Sequence, residues 1–181
     1  MKTQLIYSID SSLKWKKRLK AGLSLVYQVQ KETSLYVLKI VPFYLGPDNW
    51  RVNHLRRETT LLEMAKEVEG ITHLVKDYGK NPKSKCAAIL KEYFEGKSPE
   101  KEITDTTLQQ KLQKTVRQLH SLGIADFDIC STNIIISPDK KTAKMVDFGS
   151  YLRFSSHNSH FKAYERQDNK NLDDLFKPIV W

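Results

Sequence analysis

The stretch Ala125-Asp126-Phe127-Asp128-Ile129-Cys130-Ser131-Thr132-Asn133-Ile134-Ile135-Ile136, followed by Ser137-Pro138-Asp139-Lys140-Lys141 and closed by Lys144-Met145-Val146-Asp147-Phe148-Gly149, decides how this chain is read. The runs 133–136 and 144–146 are short and rich in β-formers, and the Ser-Pro-Asp between them is turn chemistry, so they predict a strand hairpin. Asp128 and Asn133 precede the hairpin and Asp147 ends it. Before them, Thr104 or Asp105 can cap a long helix that runs to Leu122. Leu108, Leu112, Val116, Leu119 and Leu122 recur near the 3.6-residue period, and Gly123 stops it.

Working toward the N-terminus, Glu95-Gly96-Lys97-Ser98-Pro99 is a linker between a helical half and a strand-rich half. The runs 23–29 and 35–41 predict two strands joined by the polar turn Lys31-Glu32-Thr33-Ser34. A helix is expected over about 49–68, with Leu55, Leu61, Leu62 and Ala65 on one face and Gly70 after it. Strands at 74–78 and 86–94 follow, with Asn81-Pro82-Lys83 as their turn. Lys39 lies mid-strand, and Glu58 follows nineteen residues later on the helix. Glu63 is the rival acid, but it falls on another helix face. The last thirty or so residues are polar, and a final helix could begin at 171–176.

Taken together, these features resemble the protein-kinase superfamily, in register from about Leu19 to Tyr151. That family uses an Asp, four intervening residues and an Asn, then a hairpin and Asp-Phe-Gly, and pairs a strand lysine with a helix glutamate. The resemblance implies an α+β, two-lobed protein-kinase-like fold. Its N-lobe, about 1–95, would be an antiparallel sheet with one helix; its C-lobe, about 96–181, would be truncated and mainly helical; together they would form one minimal kinase domain. It also implies ATP and Mg2+ as cofactors. Asp128 would accept the proton of the attacking hydroxyl or orient it, with Lys39 and Asn133 as the other catalytic residues. Lys39 would hold the α- and β-phosphates, Glu58 would hold Lys39, and Asn133 with Asp147 would hold the metal.

Each residue also has a plain reading. Asp128 and Asn133 could be turn residues, and Lys39 an exposed lysine on an edge strand; it is their coincidence in order that favours chemistry. The loop Lys20-Ala21-Gly22-Leu23-Ser24-Leu25-Val26-Tyr27 keeps one glycine of the usual G-x-G-x-x-G. It is similar to the G-L-S/T loop of aminoglycoside and choline kinases and to the glycine-poor loop of RIO kinases, with Gly22 and Ser24 facing phosphate. The run 89–96 resembles the kinase hinge, whose backbone near Glu92 and Phe94 would bond adenine; its plain reading is a buried strand leaving the sheet. Lys91 falls at the gatekeeper position, where a lysine is unusual. Asp126-Phe127-Asp128 replaces His-Arg-Asp, and no Ala-Pro-Glu follows Gly149.

The activity expected is that of a minimal serine/threonine-protein kinase, similar to the short kinases that bacteria deliver into host cells. The alternatives are a kinase of small molecules or of lipopolysaccharide core sugars, and a pseudokinase scaffold that binds nucleotide without turnover. A protein substrate ranks ahead of a sugar. The net charge of +9 over 181 residues suits acidic partners or an anionic surface, and equally suits simple solubility. Cys86 and Cys130 lack the spacing of a disulfide framework or zinc site, and no apolar run approaches the ~20 residues of a membrane span. A cytoplasmic location is expected, or delivery into a host cell without a cleaved signal. Lys14-Trp15-Lys16-Lys17-Arg18-Leu19-Lys20 reads first as a solvated basic face, His157-x-x-His160 as a polar loop rather than half a metal site, and His120 as a packing or capping residue.

Overall fold

Strand alternation explains how the first half of the chain folds. A computed structural model, which describes residues 2–20, 24–43, 49–99 and 105–176, divides the chain into two units. The first comprises Met1–Glu63 with His73–Tyr93, and the second Met64–Thr72 with Phe94–Trp181. In the first unit the elements are α1 (Lys2–Ile9), β1 (Lys14–Lys20), β2 (Leu25–Lys31), β3 (Ser34–Pro42), α2 (Trp50–Met64), β4 (Leu74–Asn81) and β5 (Cys86–Glu92). The strands form one antiparallel sheet in the order β1-β2-β3-β5-β4. The β2–β3 hairpin closes at Lys31↔Ser34, with Glu32 in the left-handed region at φ 53°.

Successive side chains of β3 and β5 leave opposite faces of the sheet, and both faces are covered. Leu38, Ile40, Cys86, Ala88 and Leu90 pack on one side with Tyr27, Val29, Ile6 of α1 and Leu13. Val41, Ala87 and Ile89 pack on the other with Val52 and Leu55 of α2. This is why β5 reads as an unbroken apolar run before its lysine: a strand covered on both faces has no polar side to alternate with. Each fully buried Leu or Ile contributes about 1.5–3 kcal/mol relative to exposure.

Three elements here differ from expectation. The basic run 14–20 is the edge strand β1, whose exposed lysines discourage pairing with another chain. Helix α1 adds a second helix to the sheet; its Ile6 is fully buried. Helix α2, capped by the Asn49 side chain accepting from Arg51 and Val52 N–H, ends at Met64 rather than near 68. Ala65 and Val68 close a turn instead, and Gly70 lies so near the Thr115 side chain that a Cβ would fall 1.7 Å from its hydroxyl.

The second unit continues with α3 (Thr106–Ser121), β6 (Ile124–Ala125), a 3₁₀ turn (Ser131–Asn133), β7 (Ile134–Ile136), β8 (Ala143–Met145), β9 (Leu152–Arg153) and α4 (Ser159–Asp174). Asp105 caps α3 by accepting from Thr107 and Leu108 N–H; Thr104 lies outside the described residues. Leu108, Leu112, Val116 and Leu119 are buried as their spacing predicts, but Leu122 is exposed because the helix has ended and Gly123 turns the chain at φ 73°. The expected hairpin is β7–β8, in register Ile134↔Met145. The final helix spans Ser159–Asp174, so residue 171 lies in its last turns and not at its start. Its inward positions are Phe161, Asp168 and Leu172, and an aspartate in that row hides the apolar stripe. No helix among the described residues is long and apolar enough to cross a membrane.

Candidate functional site

Lys39 sits mid-β3 opposite Ile89 of β5, and Val37 sits opposite Lys91. Because side chains alternate, Lys39 and Lys91 emerge from the same sheet face as diagonal neighbours. That face is the one covered by α2, and both meet Glu58 there. Lys39 Nζ donates to Glu58 Oε2 at 2.5 Å, and Lys91 Nζ donates to Oε1 at 2.5 Å. Glu58 is 0% exposed, whereas the rival Glu63 is exposed. The Lys39–Glu58 pair joins residues the sequence singled out. The Lys91 contact was not foreseen, although a lysine two positions beyond the partner of Lys39, on a strand otherwise buried, was the signal for it.

In the second unit the loop after β6 carries Asp128. Asp126 and Asp128 both have left-handed backbones, φ 66° and 49°, which Asp tolerates better than most residues. Asn133 Nδ2 donates to the Asp128 carbonyl at 3.0 Å and to its carboxylate Oδ2 at 3.1 Å. Val146 N–H donates to the Asn133 carbonyl at 3.0 Å, which extends the β7–β8 ladder by one step and brings Asn133 and Asp147 to the same end of the hairpin. Asp147 is half-buried, and Phe148 after it is fully buried. Asp128 itself is exposed.

A second buried carboxylate holds this loop. Asp168 of α4 accepts from Asp126 N–H at 2.8 Å and Phe127 N–H at 3.2 Å, and it contacts His120 Nε2 at 3.0 Å. His120 is buried and stacked on Phe127. His120, expected to pack or cap, packs and also makes a polar contact with Asp168. Asp168 escaped the sequence reading because nothing local marks it; its partners lie forty or more residues away. Burial, then the nearby Asp168 and Asp128 carboxylates, push the Asp126 carboxyl above its ordinary value.

The remaining expected site residues are placed as follows. Glu92 ends β5, its N–H donating to the His73 carbonyl at 3.0 Å. Phe94 belongs to the second unit, where Lys144 Nζ lies 5.6 Å from its ring centre. Ser24 occupies the bend before β2, and Gly22 lies outside the described residues. His157 contacts the His120 carbonyl and packs on Phe161, and no cluster of three or more His, Cys, Asp or Glu side chains arranged to hold a metal occurs among the described residues.

The donor set does fit a hard divalent cation that takes most of its ligands from elsewhere. The Asn133 amide donates its N–H groups to Asp128, and with Asp147 at the same hairpin end it offers one neutral and one anionic oxygen, the ligand types such a cation takes.

Over 119 residues, 60% of this chain, the sequence is 27% identical to the probable serine/threonine-protein kinase fnkB of Dictyostelium discoideum. The matched part spans 22% of that protein's length. No protein-family model matches the chain. The chain is thus distantly similar to a protein described as a serine/threonine kinase, and its described residues form an α+β fold with a five-stranded antiparallel sheet and four α-helices.

Proposed function

We propose that this chain is an ATP- and Mg2+-dependent phosphotransferase acting on serine or threonine hydroxyls of proteins. The observation that carries the reading is the buried Lys39–Glu58 pair. Burying an ion pair is rarely worth more than burying apolar side chains of the same size, so a buried lysine held by a buried glutamate points to a use for the ammonium. Holding phosphate oxygens is that use.

In this reading Lys39 binds the α- and β-phosphates. Asn133 and Asp147 would hold Mg2+, which when bound neutralises charge on the phosphates. The acceptor hydroxyl attacks the γ-phosphorus, the bond from that phosphorus to the ADP oxygen breaks, and the hydroxyl proton passes to Asp128. Asn133 keeps the Asp128 carboxylate oriented, and Asp168 fixes the backbone that carries it.

The test is label transfer from γ-labelled ATP with Mg2+ into cell extract, products being separated into protein, lipid and soluble fractions. Label in protein that falls at least ~100-fold with Asp128→Ala supports the reading. Label confined to lipid or soluble material replaces it with a sugar or small-molecule kinase, and no transfer at all replaces it with a nucleotide-binding scaffold.

A further inference from the structure

Lys91 is a buried lysine that phosphotransfer as described does not use. Its side chain is 5% exposed, and its backbone is fixed in the sheet interior by pairing with Val37 of β3 and Leu74 of β4. Its ammonium meets a carboxylate whose other oxygen already carries Lys39. An apolar side chain of equal length would fill the same space, so packing alone does not call for the charge.

The consequence follows from the cost of a buried carboxylate with no counter-charge, which is several times the worth of an ordinary hydrogen bond. If Lys39 alone paired with Glu58, turning it toward a phosphate would strip a fully buried glutamate of its cation. With Lys91 on the other oxygen, Glu58 keeps a cation whichever way Lys39 turns. We propose that Lys91 is a positioning residue that tethers Glu58 to β5, so that Lys39 can engage phosphate without leaving that carboxylate uncompensated. The tether also ties α2, which carries Glu58, to two neighbouring strands instead of one. The part of this inference that concerns phosphate rests on the phosphotransfer reading; the part that concerns Glu58 does not.

Two measurements separate those parts. The first is a thermal-melting cycle on the full chain with Lys39→Met, Lys91→Met and the double variant, in the absence of nucleotide. Either single variant leaves Glu58 one lysine and shifts the melting temperature by only a few degrees. The double variant melts roughly 10 °C below the sum of the two shifts. Should the double variant not fold, adding Glu58→Leu restores a cooperative transition, because the buried charge is then gone. Additive shifts, or a double variant that Glu58→Leu does not improve, overturn the tether.

The second measurement is titration with Mg2+ and a fluorescent ATP analogue, followed by steady-state kinetics. Lys91→Met weakens binding about tenfold and raises the KM for ATP by the same factor, with kcat changed less than about threefold; Lys91→Arg, which keeps the charge in a bulkier group, recovers part of that loss. Unchanged affinity in Lys91→Met overturns the role toward phosphate. A parent chain that binds no nucleotide faults the phosphotransfer reading itself, and the melting cycle then still decides whether Lys91 and Lys39 share Glu58.

Discussion

Glu58 and Asp168 are both buried acids that hold more than one donor, yet they work in opposite ways. Glu58 takes two ammonium groups from two strands, so its stabilisation is charge against charge. Asp168 takes two backbone N–H groups and meets a ring nitrogen of His120, so backbone dipoles carry much of its stabilisation. The first arrangement fixes side chains and leaves the backbone to the sheet. The second fixes a loop backbone that no ladder holds, between β6 and the 3₁₀ turn. A carboxylate is used as a counter-ion where regular structure already sets the geometry, and as a scaffold where it does not.

The largest effect should come from breaking the first arrangement. Glu58→Ala removes the carboxylate that two buried ammonium groups share, and it should cost about 3–5 kcal/mol in urea unfolding. A cost below about 1 kcal/mol would mean that the lysines find other partners easily, and the contrast with Asp168 would collapse.

Asp168→Asn probes the second arrangement and should cost less, about 1–3 kcal/mol. One oxygen remains to accept, but the amide N–H2 that replaces the other must face a backbone N–H or adapt to His120. Amide exchange at Asp126 and Phe127 should rise while exchange along β3 and β5 stays as in the parent. Uniform acceleration across the chain would show that Asp168 stabilises the fold generally and does not act on the loop.

The same contrast explains what could be read in the sequence. Lys39 and Glu58 were legible because each sits in an element with a clear period, and a nineteen-residue separation joins a strand to the helix that follows it. Asn133 and Asp147 were legible because a short hairpin fixes their spacing, and Asp128 because Asp128-x4-Asn133 ahead of it resembles the kinase pattern. Lys91 was not, because its meeting with Glu58 depends on the register of β3 against β5, which are fifty or so residues apart in the chain and joined through α2 and β4. Asp168 was hidden for a different reason: a buried acid in a polar helix breaks the amphipathic pattern that would have marked its face as inward. Helix α1 and the basic strand β1 went unread because one is short and the other derives its strand form from pairing with β2.

A third acid, Asp10, sharpens the comparison with the smallest expected effect. Its hydrogen-bond donors are neutral: its carboxylate accepts from the Ser12 hydroxyl at 2.6 Å, Ser12 N–H at 2.9 Å and the Tyr78 hydroxyl at 2.7 Å, and the Lys76 ammonium stands farther off at 3.9 Å. Burial alone would raise its pKa, but the Ser12 and Tyr78 hydrogen bonds outweigh that and bring it down from 3.8 to about 2. A lowered carboxyl pKa in the folded state means stability that is present above 3.8 and is lost as pH falls toward 2. Asp10→Asn should therefore be about 1 kcal/mol less stable than the parent at neutral pH, and the two should converge as urea unfolding is repeated down to about pH 2. Asp126, whose pKa is raised, has the opposite sign: its protonation relieves the burial of its charge, and then the repulsion from Asp168 and Asp128, as the pH falls; that contribution is common to both proteins and drops out of their difference. If the two proteins differ equally at every pH, the Asp10 hydrogen bonds act through geometry alone. Hydroxyl donors would then not serve this fold in the way backbone donors serve Asp168.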